Sequence, residues 1–317
     1  SDLSVSSSGG TIADSAGGAA GSASGDLGAV TVDGDAPDFS ACTATDAAYG
    51  VGEVLTITCT WDEAVVTSDG TLTLSNSDTA SYSSGSGTTA LVFTTTIAEN
   101  DAASSDLSVS SSGGTIADSA GGAAGAASGD LGAVIVDGDT PDISGADATD
   151  GDYGVGEALV ITVTFDEAVT VTGTPTITLS NGDVASYTSG STSTAILFTT
   201  TIAQGDTDSS DLSVSSIQPT AGGATMKDGA TNDISTTITG GDLGAVTVDG
   251  AVPVFASVAA DDAAYGVGDV LTITVTWGEA VVSTDGTLTL SNSDVATLSS
   301  GSGTTALVFT TTIAEND

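Results

Sequence analysis

The chain has 317 residues and sets 42 acids against a single cation, Lys227, for a formal net charge of −41. Such a charge repels nucleic acid and anionic lipid, so neither is expected as a partner. There is no His, so the commonest general base and metal ligand is missing, and at 39% hydrophobic the chain is too apolar for a disordered acidic tail. The acids are seven Glu and 35 Asp. Asp favours turns and offers short, rigid oxygen ligands, which with 42 Gly argues against helices. The surplus charge is expected to attract divalent cations or to keep the protein soluble in concentrated salt. No apolar run approaches the roughly 20 residues of a membrane helix, so no membrane insertion is expected within this segment. No secretion signal is visible, and any signal or anchor is expected outside it.

Internal repetition organises the rest. The string SDLSVSSSGGTIADSAGGAAG begins at Ser1 and recurs at Ser105. Residues 1–32 therefore read as the C-terminal third of a repeat. Pro37, Pro141 and Pro253 each follow a Val-Asp-Gly segment and mark the next starts. Complete β-sandwich repeats are expected at 37–136 and 141–248, and the N-terminal two thirds of another at 253–317. Tyr-Gly-Val-Gly followed by an acid occurs at Tyr49, Tyr153 and Tyr265, in steps of 104 and 112 residues. The longer step comes from 217–240, the least regular stretch. The ends match in phase, Ser1 with Ser105 and Asp317 with Asp101. Two readings follow: a window on a longer array, or a subunit whose residues 1–32 complete the open sandwich of the next copy by strand donation.

Within each repeat the apolar residues alternate with period two. Leu55, Ile57, Cys59 and Trp61 face one way, and Thr56, Thr58 and Thr60 the other. Leu159, Ile161, Val163 and Phe165 repeat the pattern, as do Leu271, Ile273, Val275 and Trp277. Shorter strands are expected at Leu72/Leu74, Ala80/Tyr82, Leu91/Phe93/Thr95/Ile97 and Leu107/Val109, with turns at Ser68-Asp69-Gly70 and Ser84-Gly85-Ser86-Gly87. About seven short strands per repeat predict an all-β chain of tandem antiparallel immunoglobulin-like sandwiches. The aromatic residues of the inward phase, Trp61, Phe165 and Trp277, are expected in the core, and Tyr49, Tyr153 and Tyr265 are expected to pack at the first loop.

The run Tyr153–Gly182, YGVGEALVITVTFDEAVTVTGTPTITLSNG, continues as Ala185–Asp206, ASYTSGSTSTAILFTTTIAQGD. It resembles the bacterial immunoglobulin-like and cadherin-like repeats of giant cell-surface proteins, including the type in a cyanobacterial swimming-motility protein. That resemblance implies surface display, an adhesive or matrix role, and calcium between domains. It names no ligand.

Counting strands assigns the acids to poles. If Pro37 opens the first strand at one pole, Asp62-Glu63 returns to it, and continuing the count places Asp78 and Glu99-Asn100-Asp101 there too. The linker acids Asp33, Asp35 and Asp38 enter at that pole. The expected metal set is therefore Asp33, Asp35, Asp38, Asp62, Glu63 and Asp101. In the next repeat it is Asp137, Asp139, Asp142, Asp166, Glu167 and Asp206. Calcium, a hard cation needing six to eight oxygens, suits such a cluster; the alternative is solvated turn acids of a salt-adapted protein. The third junction departs from the pattern: Ala251, Val254 and Gly278 replace acids, leaving Asp249, Glu279 and Asp317.

Cys42 and Cys59 occur only in the first complete repeat, where Ala146, Val258, Val163 and Val275 stand at the equivalent positions elsewhere. A disulfide is expected in an oxidising compartment, with two buried thiols as the alternative. No catalytic constellation is present, and acids in every loop make adjacent pairs uninformative, so the chain is read as a non-enzyme. The leading expectation is an extracellular stalk or spacer of a secreted bacterial or archaeal surface protein, stiffened by calcium. Its expected partners are neighbouring repeats or copies, or cell-surface and matrix polysaccharide. The rival readings are a filament or sheath subunit and a polysaccharide-binding module.

Overall fold

The computed structural model describes residues 2–315 and is all-β, as composition and alternation predict. The only helical turn among these residues is a 3₁₀ segment at Ala221–Gly223. A hairpin of β1 (Asp2–Val5) and β2 (Gly25–Thr31) comes first and forms its own small sheet.

The first sandwich follows with β3 (Phe39–Thr43), β4 (Ala47–Tyr49), β5 (Val54–Val65), β6 (Thr71–Leu74) and β7 (Thr79–Ser84). It is completed by β8 (Thr88–Thr96), β9 (Ser108–Gly113), β10 (Gly129–Asp130) and β11 (Val134–Val136). Hydrogen bonding runs β10-β9-β6-β7-β8-β5-β3, and the sheet curls until β10 lies close to β3. β11 pairs in parallel with β4 as a separate seam. The long strand β5 shows why the sequence folds this way. Leu55, Ile57, Cys59 and Trp61 are buried, while the threonines between them form the outer face. Between Thr60 and Val65 its pairing with β8 shifts register. Asp62 and Glu63 sit in that irregularity, free to turn toward the chain that enters from the linker. Cys42 and Cys59 are paired residues of β3 and β5 and are joined by a disulfide.

The second sandwich has the same plan. Its strands are β12 (Ile143–Ala148), β13 (Gly151–Gly154), β14 (Ala158–Thr172), β15 (Thr176–Leu179) and β16 (Val184–Ser189). After these come β17 (Ser193–Thr201), β18 (Val214–Gln218), β19 (Thr225–Lys227) and β20 (Val246–Asp249). The path is β12-β14-β17-β16-β15-β18, with β19 added to the end of β14 and β20 parallel to β13. The irregular stretch 217–240 thus belongs to the sandwich wall and carries Met226 and Ile234 into its core.

The third unit has β21 (Phe255–Ala260), β22 (Val270–Val281), β23 (Thr287–Thr289), β24 (Val295–Ser300) and β25 (Thr304–Thr312), in the order β21-β22-β25-β24-β23. Its core is thin. Among its described residues only Ile273, Val275, Ala296, Leu307 and Phe309 form the buried cluster, and Leu271, Trp277, Val281, Leu288, Leu290 and Leu298 are partly covered.

The strand order corrects the pole assigned to Asp101. β5 returns toward the incoming linker, β6 runs away from it, β7 comes back, and β8 leaves again. The loop after β8 therefore lies at the far end, where the amide of Asn100 donates to the carbonyl of Gly138 at 2.7 Å. Asp78 sits there too, its carboxyl raised by burial and by Asp101 against a lowering hydrogen bond from Asn76. Asp101 and, in the second unit, Asp206 thus belong one junction further on than their strand count suggested. Gly205 makes the matching bond to Gly250 at 2.9 Å. Glycine is needed at 138, because a Cβ there would lie 2.6 Å from the Asp101 carbonyl oxygen.

Candidate metal centre

At the first junction, Asp33 of the linker, Glu63 of β5 and Asp118 of the loop after β9 bring carboxylate oxygens within 4.8 Å of one another. At the second, Asp137, Glu167 and Asp228 do the same. That spacing is about twice a Ca–O bond, so one cation can touch all three. The linker aspartate, the glutamate in the strand irregularity and the loop aspartate come from three separate parts of the chain, so each site ties the linker to the sandwich it enters.

The loop aspartates were missed by the sequence reading and are the most buried members. Asp118 is 5% exposed. Its Oδ1 accepts the amides of Ala120 and Gly122 at 2.6 and 2.9 Å, which fixes the side chain in a tight turn. Its Oδ2 is buried with no hydrogen-bond partner. The signal was present in the sequence as Ile-Ala-Asp-Ser-Ala-Gly-Gly, which occurs at Ile12 and Ile116. In the second unit the motif has diverged to Met-Lys-Asp-Gly-Ala-Thr-Asn, so no third copy marked the aspartate as a recurring feature.

Asp228 is held in the same way, with Oδ1 accepting Ala230 and Asn232 amides, both at 2.8 Å. Its Oδ2 differs, because the Asn232 side-chain amide donates to it at 2.7 Å. That same amide reaches the linker carbonyl of Asp139 at 2.8 Å, and Asn232 Oδ1 accepts the amide of Val51 in the first sandwich at 2.6 Å. One buried asparagine therefore links two sandwiches and the linker between them.

Asp62 Oδ1 accepts the Asp38 amide at 2.8 Å, and Asp166 Oδ1 accepts the Asp142 amide at 2.9 Å. These pairs clasp the start of each sandwich to the register irregularity of its long strand. Asp35 and Asp139 are exposed beside the clusters, their amides donating to Asp33 and Asp137 at 3.3 Å. Asp101 and Asp206 cap turns, accepting the amides of Ala98 and Ala203 at 2.7 and 2.6 Å. No protein-family model matches the chain, and no curated protein matches it.

Charge crowding marks both sites. Glu63 is raised above the usual glutamate range by loss of water and then by Asp33, Asp118, Asp62 and Asp35. Glu167 is pushed up to about 7, chiefly by burial and then by Asp137, Asp228, Asp166 and Asp139. A cation between them would remove the repulsion; without one, a proton is the remaining means of relief. A cleft of about 400 Å³ opens beside the second site, and Glu99 of the first sandwich lines it. At the third junction Asp249 and Glu279 remain, and no third group of three carboxylates forms among the described residues. Asp317 lies outside the described residues.

Proposed function

We propose that this chain is an extended extracellular array whose sandwiches are held in line by divalent cations at the linkers, with calcium as the best-fitting ion. The observation that carries the reading is Asp118: a nearly buried carboxylate with one oxygen satisfied by a turn and the other unpartnered, beside Asp33 and Glu63. All-oxygen donors, no His and no free thiol favour a hard cation over a transition metal. Surface display and an adhesive or matrix role follow from the resemblance of the repeats to those of giant cell-surface proteins. Partners would then be neighbouring repeats or surface polysaccharide. Among the described residues no helix is long and apolar enough to cross a membrane.

The test is calcium titration by calorimetry, followed by melting in millimolar Ca²⁺ and in chelator. Two binding events and a rise in melting temperature are expected. Identical melting in the two conditions would sink the cation reading.

A further inference from the structure

The string Tyr-Gly-Val-Gly followed by an acid recurs at Tyr49, Tyr153 and Tyr265, and the cation reading gives it no part. In the first sandwich it makes the turn from β4 into β5. The Gly50 amide donates to Glu53 Oε2 at 3.0 Å, the Glu53 amide to the Gly50 carbonyl at 3.1 Å, and the Gly52 amide to the Ile97 carbonyl at 2.8 Å. Gly154, Glu157 and Gly156 make the same three bonds at 2.8, 3.1 and 2.8 Å, and Gly266, Asp269 and Gly268 make them at 2.7, 3.0 and 2.9 Å. The acid therefore closes the loop, and three of the four amides at 50–53 are satisfied inside their own sandwich. The fourth reaches across: the Val51 amide donates to Asn232 Oδ1 of the second sandwich at 2.6 Å.

The surroundings of that bond are shaped to it. Asn232 is 4% exposed, and its own side-chain amide donates to Asp228 Oδ2 and to the linker carbonyls of Asp139 and Asp137 at 2.7, 2.8 and 3.2 Å. Gly50 has no left-handed φ, so its backbone would accept a side chain. A Cβ there would nevertheless collide with Asn232 Oδ1 and lie 2.8 Å from the Ala230 carbonyl oxygen. The glycine thus makes room for the turn 228–232 rather than for a bend of its own chain. The Tyr49 carbonyl completes the contact by accepting the Asp137 amide at 3.0 Å.

We propose that the loop 49–53 is a docking surface whose partner is the buried-aspartate turn of the following sandwich, so that residues 37–248 hold together as one body without a cation. The loop supplies a fixed donor at Val51 and a gap at Gly50. The turn supplies Asn232, which fills the gap and meets the donor. Both groups are neutral, which suits a chain whose surface charge is almost all of one sign. One consequence rests on the cation reading above, whereas the docking itself does not. Asp228 and Asp137 are two of the three carboxylates of the second site, and they are held by Asn232 and by the Tyr49 carbonyl. Calcium binding at that site and docking of the two sandwiches should therefore strengthen each other, because the coupling of two linked equilibria is reciprocal.

Amide hydrogen exchange of the 317-residue chain in chelator tests the docking. Exchange at Val51 should be slow in the wild type and several-fold faster in Asn232→Gly, while Gly50, Gly52 and Glu53 exchange as before. Glycine stands at this position in the first sandwich, as Gly122, so the substitution is compatible with the fold. Gly50→Ala should speed Val51 from the other side of the contact, with Gly52 and Glu53 reporting that the loop itself is intact. Wild-type exchange at Val51 as fast as at an exposed amide, or exchange unaltered by both substitutions, would overturn the docking. Calorimetry addresses the consequence separately. Gly50→Ala changes no carboxylate, yet it should weaken calcium binding at the second site several-fold and leave the first unchanged. Equal affinities in Gly50→Ala and the wild type would overturn the coupling and leave the docking standing. A wild type that binds no calcium would remove the cation reading and the coupling with it, and the exchange result would still decide the docking.

Discussion

Asp118 and Asp228 occupy the same turn in successive sandwiches, yet what faces their second oxygen differs. At Asp118 it is an unpartnered buried oxygen, and at Asp228 it is the amide of Asn232. The first site should therefore depend more on a cation than the second. Asp118→Asn and Glu63→Gln should each weaken calcium binding there by at least about tenfold, which is about 1.4 kcal/mol of binding free energy. Calorimetry should show one event fewer in each variant, and an unchanged stoichiometry would remove these residues from the site. Glu167 gives a pH signature. Its folded value of about 7 lies above the ordinary 4.5, so the folded state holds the proton more tightly. In chelator, the stability linked to this proton is full below pH 4.5 and is lost as pH rises through about 7. The second sandwich should thus melt lower at pH 8 than at pH 5. Saturating calcium should flatten or reverse that slope, because the ion requires the carboxylate that the proton would neutralise. Melting curves at both pH values, with and without Glu167→Gln, check this.

The strands set how much each sandwich depends on single contacts. β5 carries the disulfide to the edge strand β3 and the tryptophan whose indole N–H donates to the Gly125 carbonyl, so it ties both that edge and the loop between β9 and β10 to the sheet. The second sandwich holds Ala146 and Val163 where the cysteines stand, and Phe165 in place of Trp61. Its packing shows that neither the disulfide nor the indole bond is required for the topology. They act as reinforcement. Replacing Cys42→Ala and Cys59→Val together should cost about 3 kcal/mol on the chain-entropy account for a loop of this length. Denaturant unfolding monitored on the first sandwich measures it. Trp61→Phe should cost about 1 kcal/mol for the lost hydrogen bond, plus a smaller packing loss against Phe39, whose ring lies edge-on at 5.9 Å. A loss near zero would mean that the Gly125 carbonyl finds water instead.

Across the whole molecule the junctions are unequal. The first has a carboxylate group, the second has a group and the Asn232 bridge, and the third has neither among the described residues. Limited proteolysis should report this difference. Trypsin is of little use with one Lys and no Arg, so a broad-specificity protease is the suitable probe. In calcium, cleavage at the linker 249–252 should persist while cutting at 33–36 and 137–140 slows at least several-fold. Chelator should equalise the first and third linkers but leave residual protection at the second, where Asn232 still binds. Equal cutting at all three in calcium would contradict this ordering. The charge of −41 acts at this scale too. Self-repulsion between sandwiches should fall as monovalent salt shortens the screening length, so overall stability should rise with salt even in chelator.

The sequence by itself determined the all-β class, the alternation of buried and exposed faces, and the phase of the repeats. Each of these depends on a local period: two residues for a strand, and a repeated string for the unit. It also pointed to Asp33, Glu63, Asp137 and Glu167 as junction acids, because these lie in a linker or just past the apolar alternation of a long strand. Tertiary structure alone decided which acids meet. Asp118 is 55 residues beyond Glu63, and only the curl of the sheet brings its loop back to the linker. Asp101 went the other way: a parity error of one strand moves a loop to the opposite pole, because each antiparallel strand reverses the direction of the chain. The unequal burial of identical strings was equally hidden. Leu3 and Leu107 sit in the same local sequence, but only Leu107 has a second layer of side chains to pack against. Hydrophobic burial is a property of what faces a residue, and no local pattern specifies that.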